Sequence, residues 1–123
     1  MIILIGYPSC STCKGVEKQL KILNIDYVYR DVTQDTPSGE ELLDYFERSC
    51  ESSLKKLINT SGVMYREENY KDKLKGLTPK ETFEKVSENG MLIKRPILVT
   101  DYKVYVGKNI QKYIEEIQSK KGE

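Results

Sequence analysis

Pro8-Ser9-Cys10-Ser11-Thr12-Cys13-Lys14 is the stretch on which this chain turns. Ahead of it run Ile2, Ile3, Leu4 and Ile5, apolar and largely β-branched, the composition of a buried strand. Behind it Val16, Leu20 and Leu23 recur at spacings of four and three, with Glu17 and Lys21 as an i,i+4 pair on the outer side, the pattern of an amphipathic helix. A Cys-x-x-Cys therefore stands where a strand hands over to a helix. The place has chemical consequences, because a thiol is nucleophilic only as its thiolate and an ordinary cysteine ionises at pH ~8.5. At a helix N-terminus, unpaired N–H groups and the helix dipole favour negative charge. Lys14 adds a cation one turn along. Both effects lower the pKa of Cys10. Cys13 shares its helical face and can close a disulfide with it. Cys10 is expected to attack and Cys13 to resolve. The competing readings are a pair of packing cysteines and half of a zinc site; the second lacks ligands, since the chain has no histidine and only Cys50 besides.

Outward from this turn, Asn24 lets the chain reverse and residues 26–32 read as a second strand, so strand, helix and strand form a parallel pair with a right-handed crossover. A loop over 33–37 leads to Ser38-Gly39-Glu40-Glu41, a capping box with Ser38 as N-cap and Glu41 at N3. The helix it opens carries Leu42, Leu43, Phe46 and Cys50 on one stripe, which makes Cys50 a core position; its other reading is a third redox thiol. Residues 53–58 form a short helical segment broken by Asn59-Thr60-Ser61-Gly62, and 63–77 read as short helices or irregular turns. Thr78-Pro79-Lys80-Glu81 is a second capping box with proline in the first helical position; Phe83, Val86 and Met91 supply its apolar side, and Asn89-Gly90 stops it. After Pro96 comes a buried strand, Ile97-Leu98-Val99-Thr100. Asp101-Tyr102-Lys103 turns it, Val104-Tyr105-Val106 returns antiparallel, and Gly107 closes the hairpin. Asn109 caps a last helix with Ile110, Tyr113, Ile114 and Ile117 inward, and residues 119–123 read as a frayed, charged tail.

The order β-α-β, helical stretch, β-β-α predicts an α/β fold: a four-stranded mixed sheet with helices on both faces. The helical insertion between strands 2 and 3, about residues 38–90, is expected to form a lobe beside the sheet within a single domain over 1–123. A charged content of 32% and a net charge of +1 give no electrostatic case for direct nucleic-acid binding. No apolar run approaches the ~20 residues that span a bilayer, and no membrane partner is expected. An odd number of cysteines fits a reducing compartment, so a cytoplasmic location is expected. Without imidazole, catalysis has to run on thiolate, lysine, arginine and carboxylate groups. Arg66 lies in a highly charged stretch, where a solvated surface arginine is the default. Arg95 lies between Ile93 and Pro96 at the mouth of a core strand, placed to stabilise the Cys10 thiolate or to hold an oxyanion or carboxylate beside it.

Three stretches carry a likeness that spans nearly the full chain: the Cys-x-x-Cys turn, Gly62-Val63-Met64-Tyr65-Arg66, and Met91-Leu92-Ile93-Lys94-Arg95-Pro96-Ile97-Leu98-Val99-Thr100. On them the chain resembles the thioredoxin-fold family of arsenate reductase (ArsC) and Spx-type proteins. The resemblance implies a thioredoxin-like fold with a cis Arg95–Pro96 bond facing the active cysteine. The glutaredoxin-like arsenate reductases use a cysteine nucleophile and three arginines on the oxyanion. By that likeness Cys10 is the nucleophile, and Arg66 and Arg95 are two of the arginines. The third falls at Gly107, where this chain has no cation; Lys108 is next door, but an ammonium is not a planar fork. The implied function is a thiol–disulfide redox protein, an arsenate-reductase-like oxidoreductase with Cys13 as resolving thiol. Ser11, Thr12, Lys14 and Pro96 would lie against the substrate, a small oxyanion or a disulfide. No bound cofactor is implied, and the reductant would be glutathione with glutaredoxin, or thioredoxin. The alternative is an Spx-type redox-switched regulator that binds the C-terminal domain of the RNA polymerase α subunit. In such regulators that contact includes a glycine near the end of the second helix, where this chain reads Ser49-Cys50-Glu51-Ser52-Ser53.

Overall fold

A computed structural model describes residues 1–121, and in it the Cys-x-x-Cys turn joins β1 (Ile3–Gly6) to α1 (Ser11–Ile22). Asn24, in the left-handed region at φ 57°, reverses the chain into β2 (Val28–Asp31), which runs parallel to β1 with Ile3 opposite Val28. Then come α2 (Gly39–Ser49), a 3₁₀ turn at Leu54–Leu57, α3 (Val63–Glu67), α4 (Tyr70–Lys73), α5 (Pro79–Val86) and a 3₁₀ turn at Gly90–Leu92. The chain ends with β3 (Ile97–Val99), β4 (Val104–Val106), a 3₁₀ turn at Gly107–Asn109 and α6 (Ile110–Lys121). The sheet order is β2-β1-β3-β4, with β3 antiparallel to both β1 and β4. This is the four-stranded mixed sheet that the element order predicts.

Alternation along the strands divides the core in two. Leu4, Leu98 and Tyr105 face one side and pack with Val16 and Leu20 of α1 and Ile110 and Ile114 of α6. Ile5, Ile97, Val99, Val104 and Val106 face the other and pack with Leu42, Tyr45, Phe83 and Val86. The helices between β2 and β3 thus cover a face of the sheet and share its core. Both capping boxes form, Ser38 with Glu41 and Thr78 with Glu81. Arg30 of β2 grips the start of α2, its two terminal nitrogens 2.6 and 3.0 Å from the Glu41 carboxylate oxygens. Because β1 and β3 are antiparallel, with Ile5 opposite Ile97, the end of β1 lies beside the start of β3. That register brings Arg95 and Pro96 to the cysteine turn. No helix among the described residues is long and apolar enough to cross a membrane.

The structure corrects several readings. Strand β2 is shorter than residues 26–32. Cys50 is exposed. The helix ends at Ser49, and Cys50 caps it at φ 60°, so the stripe cannot be extended from Phe46 to a fourth-residue neighbour; Tyr45 is buried instead. Asn109 ends a 3₁₀ turn, and its amide donates to Glu51 Oε1 at 2.5 Å. Helix α6 continues through residues 119–121, while residues 122 and 123 of the expected tail lie outside the described residues.

Gly90 is not the stop of α5, which already ends at Val86. Asn89 caps the following turn by accepting the Met91 N–H at 2.9 Å, so Met91 belongs to that turn. What requires glycine at position 90 is a close approach: a Cβ there would lie 2.1 Å from the Val32 carbonyl oxygen and 3.2 Å from the Thr33 Cα. Both obstacles are backbone. Gly90→Ala is therefore expected to cost about 3 kcal/mol, the upper range for overpacking, read as a fall in the urea unfolding midpoint. A midpoint equal to that of the parent chain would show that the β2–α2 connection yields freely.

Candidate active site

Cys10 occupies the N-cap of α1, with extended backbone at φ −82° and ψ 115°. Its sulfur accepts the Cys13 N–H at 3.3 Å, and its own N–H donates to the Tyr7 carbonyl at 3.0 Å. Residues at this position normally offer a side-chain oxygen to the orphan donors of the first turn. A thiolate answers those donors better than a thiol and also meets the positive end of the helix dipole. Burial alone would push the Cys10 thiol up. The Cys13 side-chain and backbone donors, the Arg95 charge and the Thr12 N–H outweigh burial, and the net shift is downward.

Cys13 is the opposite case. It is 1% exposed, and burial, followed by its own hydrogen bond to Cys10, pushes its thiol up to about 12. Of the two thiols, Cys13 keeps its proton and Cys10 is the one biased toward the thiolate. The close seat of Cys13 depends on Gly6: a Cβ there would lie 3.3 Å from the Cys13 Cβ and 3.2 Å from the Tyr29 ring and hydroxyl. Burial and then the neighbouring cysteines, Cys13 first, raise Tyr29 to about 12 as well, so its phenol stays protonated beside the pair.

Arg95 precedes a cis peptide bond to Pro96, as the likeness implies. Its guanidinium carbon lies 5.1 Å from the centroid of the Tyr7 ring, a cation–π stack on the loop that carries the cysteines. Its Nε and Nη1 are buried and have no hydrogen-bond partner among the described residues. Buried charged donors without partners are costly and uncommon in folded proteins. Two of them beside a cysteine biased to the thiolate form a ready place for an anion. A cleft of about 520 Å³ opens from Thr12, Arg95 and Pro96 toward Thr60, Ser61 and Gly107.

The structure thus brings together Cys10, Cys13, Thr12, Arg95 and Pro96. Ser11 and Lys14 are exposed on the first turn of α1, and the cation that acts on Cys10 is Arg95 rather than Lys14. The reason is topological: Lys14 is exposed on the helix surface, whereas the segment leading into β3 brings Arg95 to the loop that carries the cysteines. Arg66 is exposed on α3 and lines a separate depression with Val63 and Glu67, apart from the cleft that holds Thr12 and Arg95. At Gly107 the backbone is left-handed, φ +55°, and the Lys94 Cε lies 3.5 Å from where a Cβ would stand. Sequence reasoning passed over Lys55, Lys56 and Lys94, which line the cleft together with Lys108, a residue it weighed only as a stand-in for the missing third arginine. Their one local signal is the Lys55-Lys56 doublet in a capped turn and a lysine adjoining Arg95.

Residues 5–116 match the ArsC family. The uncharacterized protein YusI of Bacillus subtilis (strain 168) is 41% identical over 82% of this chain and 85% of its own. The regulatory protein MgsR of the same organism is 29% identical over 85% of this chain and 80% of its own. Among solved structures, an ArsC family related protein from Bacteroides fragilis superimposes with a TM-score of 0.84 at 37% identity, covering 94% of this chain and 96% of that one. An arsenate reductase from Vibrio cholerae shares the fold, with a TM-score of 0.82 at 22% identity over 94% of this chain and 96% of that one.

Proposed function

The chain belongs to the ArsC family, and from that premise we propose that it is a thiol–disulfide oxidoreductase, resembling the arsenate reductases, in which Cys10 attacks and Cys13 resolves. One observation carries the reading: Cys10 caps α1 with its pKa lowered, beside an Arg95 with two buried, unpartnered donors. The Cys10 thiolate attacks an oxidised centre, either the sulfur of a disulfide, expelling a thiolate, or the arsenic of arsenate, expelling one oxygen as water. Arg95 and the first N–H groups of α1 offset the negative charge that gathers on the adduct. Resolution then needs a thiolate at Cys13. Two of the influences that hold its proton are its hydrogen bond to Cys10 and the Cys10 charge. Both vanish once the Cys10 sulfur is bonded to substrate, so the first step lowers the Cys13 pKa for the second. Cys13 attacks the Cys10 sulfur, the reduced product leaves, and two electrons have passed from the two thiols. Glutathione with glutaredoxin, or thioredoxin, would restore them in a cytoplasmic setting.

The test is NADPH consumption with arsenate, supplied in turn with the glutathione–glutaredoxin and thioredoxin–thioredoxin reductase systems, with Cys10→Ser as control. Cys10-dependent turnover supports the reductase and names its reductant. Absence of turnover, in protein whose Cys10–Cys13 disulfide both systems do reduce, removes arsenate from the reading. A second reading draws on the relatives named as regulators, which are 25–29% identical to this chain. In it the same disulfide alters a docking surface for the RNA polymerase α subunit. Equal binding of that subunit by the oxidised and reduced forms would count against it.

A further inference from the structure

The cleft that opens beside Thr12 and Arg95 is lined by more cations than a single tetrahedral oxyanion needs. Its volume of about 520 Å³ falls in the range of small-molecule sites, whereas one water claims only about 30 Å³ of liquid. Among the described residues its walls carry Lys55, Lys56, Lys94, Arg95 and Lys108 against one carboxylate, Glu51. That carboxylate is already engaged by the Asn109 amide at 2.5 Å. None of the four lysines is in an ion pair among the described residues. Gly107 contributes no side chain, and the Lys94 stem lies in ordinary contact distance of that bare position. No side chain fills the cleft at position 107, and the cations that line it come from three separate segments of the chain.

We propose that this cleft binds the small-thiol half of a disulfide whose thiol carries at least two carboxylates, so that Cys10 is aimed at disulfides of small polyanionic thiols. The inference rests on the thiol-exchange reading above and names its substrate class. The Cys10 thiolate attacks the sulfur of the anionic half, R–S–S–R′. The Cys10–S–SR bond forms, the S–S bond of the substrate breaks, and R′S⁻ leaves. R then lies in the cleft with its carboxylates among the lysines. Cys13 displaces RS⁻, its proton passing to solvent or to the departing thiolate. The enzyme is left with a Cys10–Cys13 disulfide, and the substrate has gained two electrons. A dithiol reductant resets the pair.

The test is a charge series on the reduced chain: the disulfides of mercaptosuccinate (anionic), mercaptoethanol (neutral) and cysteamine (cationic). Each rate of Cys10 adduct formation or enzyme oxidation is divided by the rate of the same disulfide with dithiothreitol. The expected order is anionic over neutral over cationic, with at least about a tenfold preference for mercaptosuccinate over mercaptoethanol at low ionic strength. The preference is expected to shrink as salt is raised. Changing Lys55, Lys56, Lys94 and Lys108 together to Gln is expected to abolish it, and changing them together to Arg to keep it, which separates lost charge from lost folding. Equal normalised rates across the series, or a preference that survives in the Gln variant, would overturn the cleft assignment while leaving thiol exchange intact. Failure of all three disulfides to react at Cys10 would overturn both.

Discussion

Cys10→Ser is expected to abolish thiol–disulfide exchange outright, whereas Cys13→Ser is expected to stop the reaction one step later, with half of the substrate still attached to Cys10. The two substitutions are alike in size and are expected to differ in consequence because the two cysteines sit in opposite environments. Cys10 holds the N-cap, and serine is itself a preferred N-cap residue. The variant should therefore fold as well as the parent, and what disappears is the thiolate. Cys13 cannot substitute for it, being 1% exposed with its thiol pushed up to about 12. In Cys13→Ser a hydroxyl can still donate to the Cys10 sulfur, so attack survives but no second thiol lies within reach to release the product. The measurement is intact-protein mass after exposure to the mercaptoethanol disulfide. It is made in a Cys50→Ser background, because Cys50 is exposed and would report its own adduct. Cys13→Ser should carry one adduct, on Cys10, and Cys10→Ser none. An adduct on Cys13 in the Cys10→Ser chain would reverse the assigned roles.

How much of this was legible in the sequence depends on how far each signal had to travel along the chain. Features fixed by neighbours were legible. The strand Ile3–Gly6 and helix Ser11–Ile22 around the cysteines follow from apolar spacing, and both capping boxes form as written. The hairpin after Pro96 follows from its turn residues. The contrast between the two cysteines, Cys10 in the cap and Cys13 on the buried inward face, follows from their spacing. Features fixed by contacts between distant segments were misread or missed. Lys14 is near Cys10 in sequence, yet Arg95, far along the chain, is the cation that acts on it, because the antiparallel pairing of β1 and β3 sets that distance. Gly90 looked like a helix stop and is instead a point where two backbones nearly touch. Cys50 looked buried because the stripe was extended one residue beyond the helix. The cleft lysines come from three separate segments, and nothing local marks them as neighbours.

Arg95→Met is expected to slow Cys10 chemistry at neutral pH by roughly 10²- to 10³-fold, the range seen when one charge-stabilising donor is removed from a transition state. Two effects add in the same direction. Arg95 is the cation among the influences that lower the Cys10 pKa. A cation favours the thiolate, so its loss raises that pKa, and the pH at which alkylation by iodoacetamide reaches half its maximum moves upward. Below that midpoint the thiolate fraction, and with it the rate, falls. The second loss is of donors to the substrate or adduct. Arg95→Lys separates the two, because it keeps a positive charge and loses the planar fork. Its alkylation midpoint should stay closer to that of the parent chain while its exchange rate still drops. Stability should move the other way. The buried Nε and Nη1 have no partner, and removing unpaired buried donors relieves their desolvation, while methionine can still pack against Tyr7. A chain that holds or gains stability as it loses activity would mark Arg95 as a residue kept for its chemistry. An Arg95→Met chain whose alkylation profile matches the parent's would mean that the helix N-terminus and Cys13 alone hold Cys10 as the thiolate. Arg95 would then act on the substrate only.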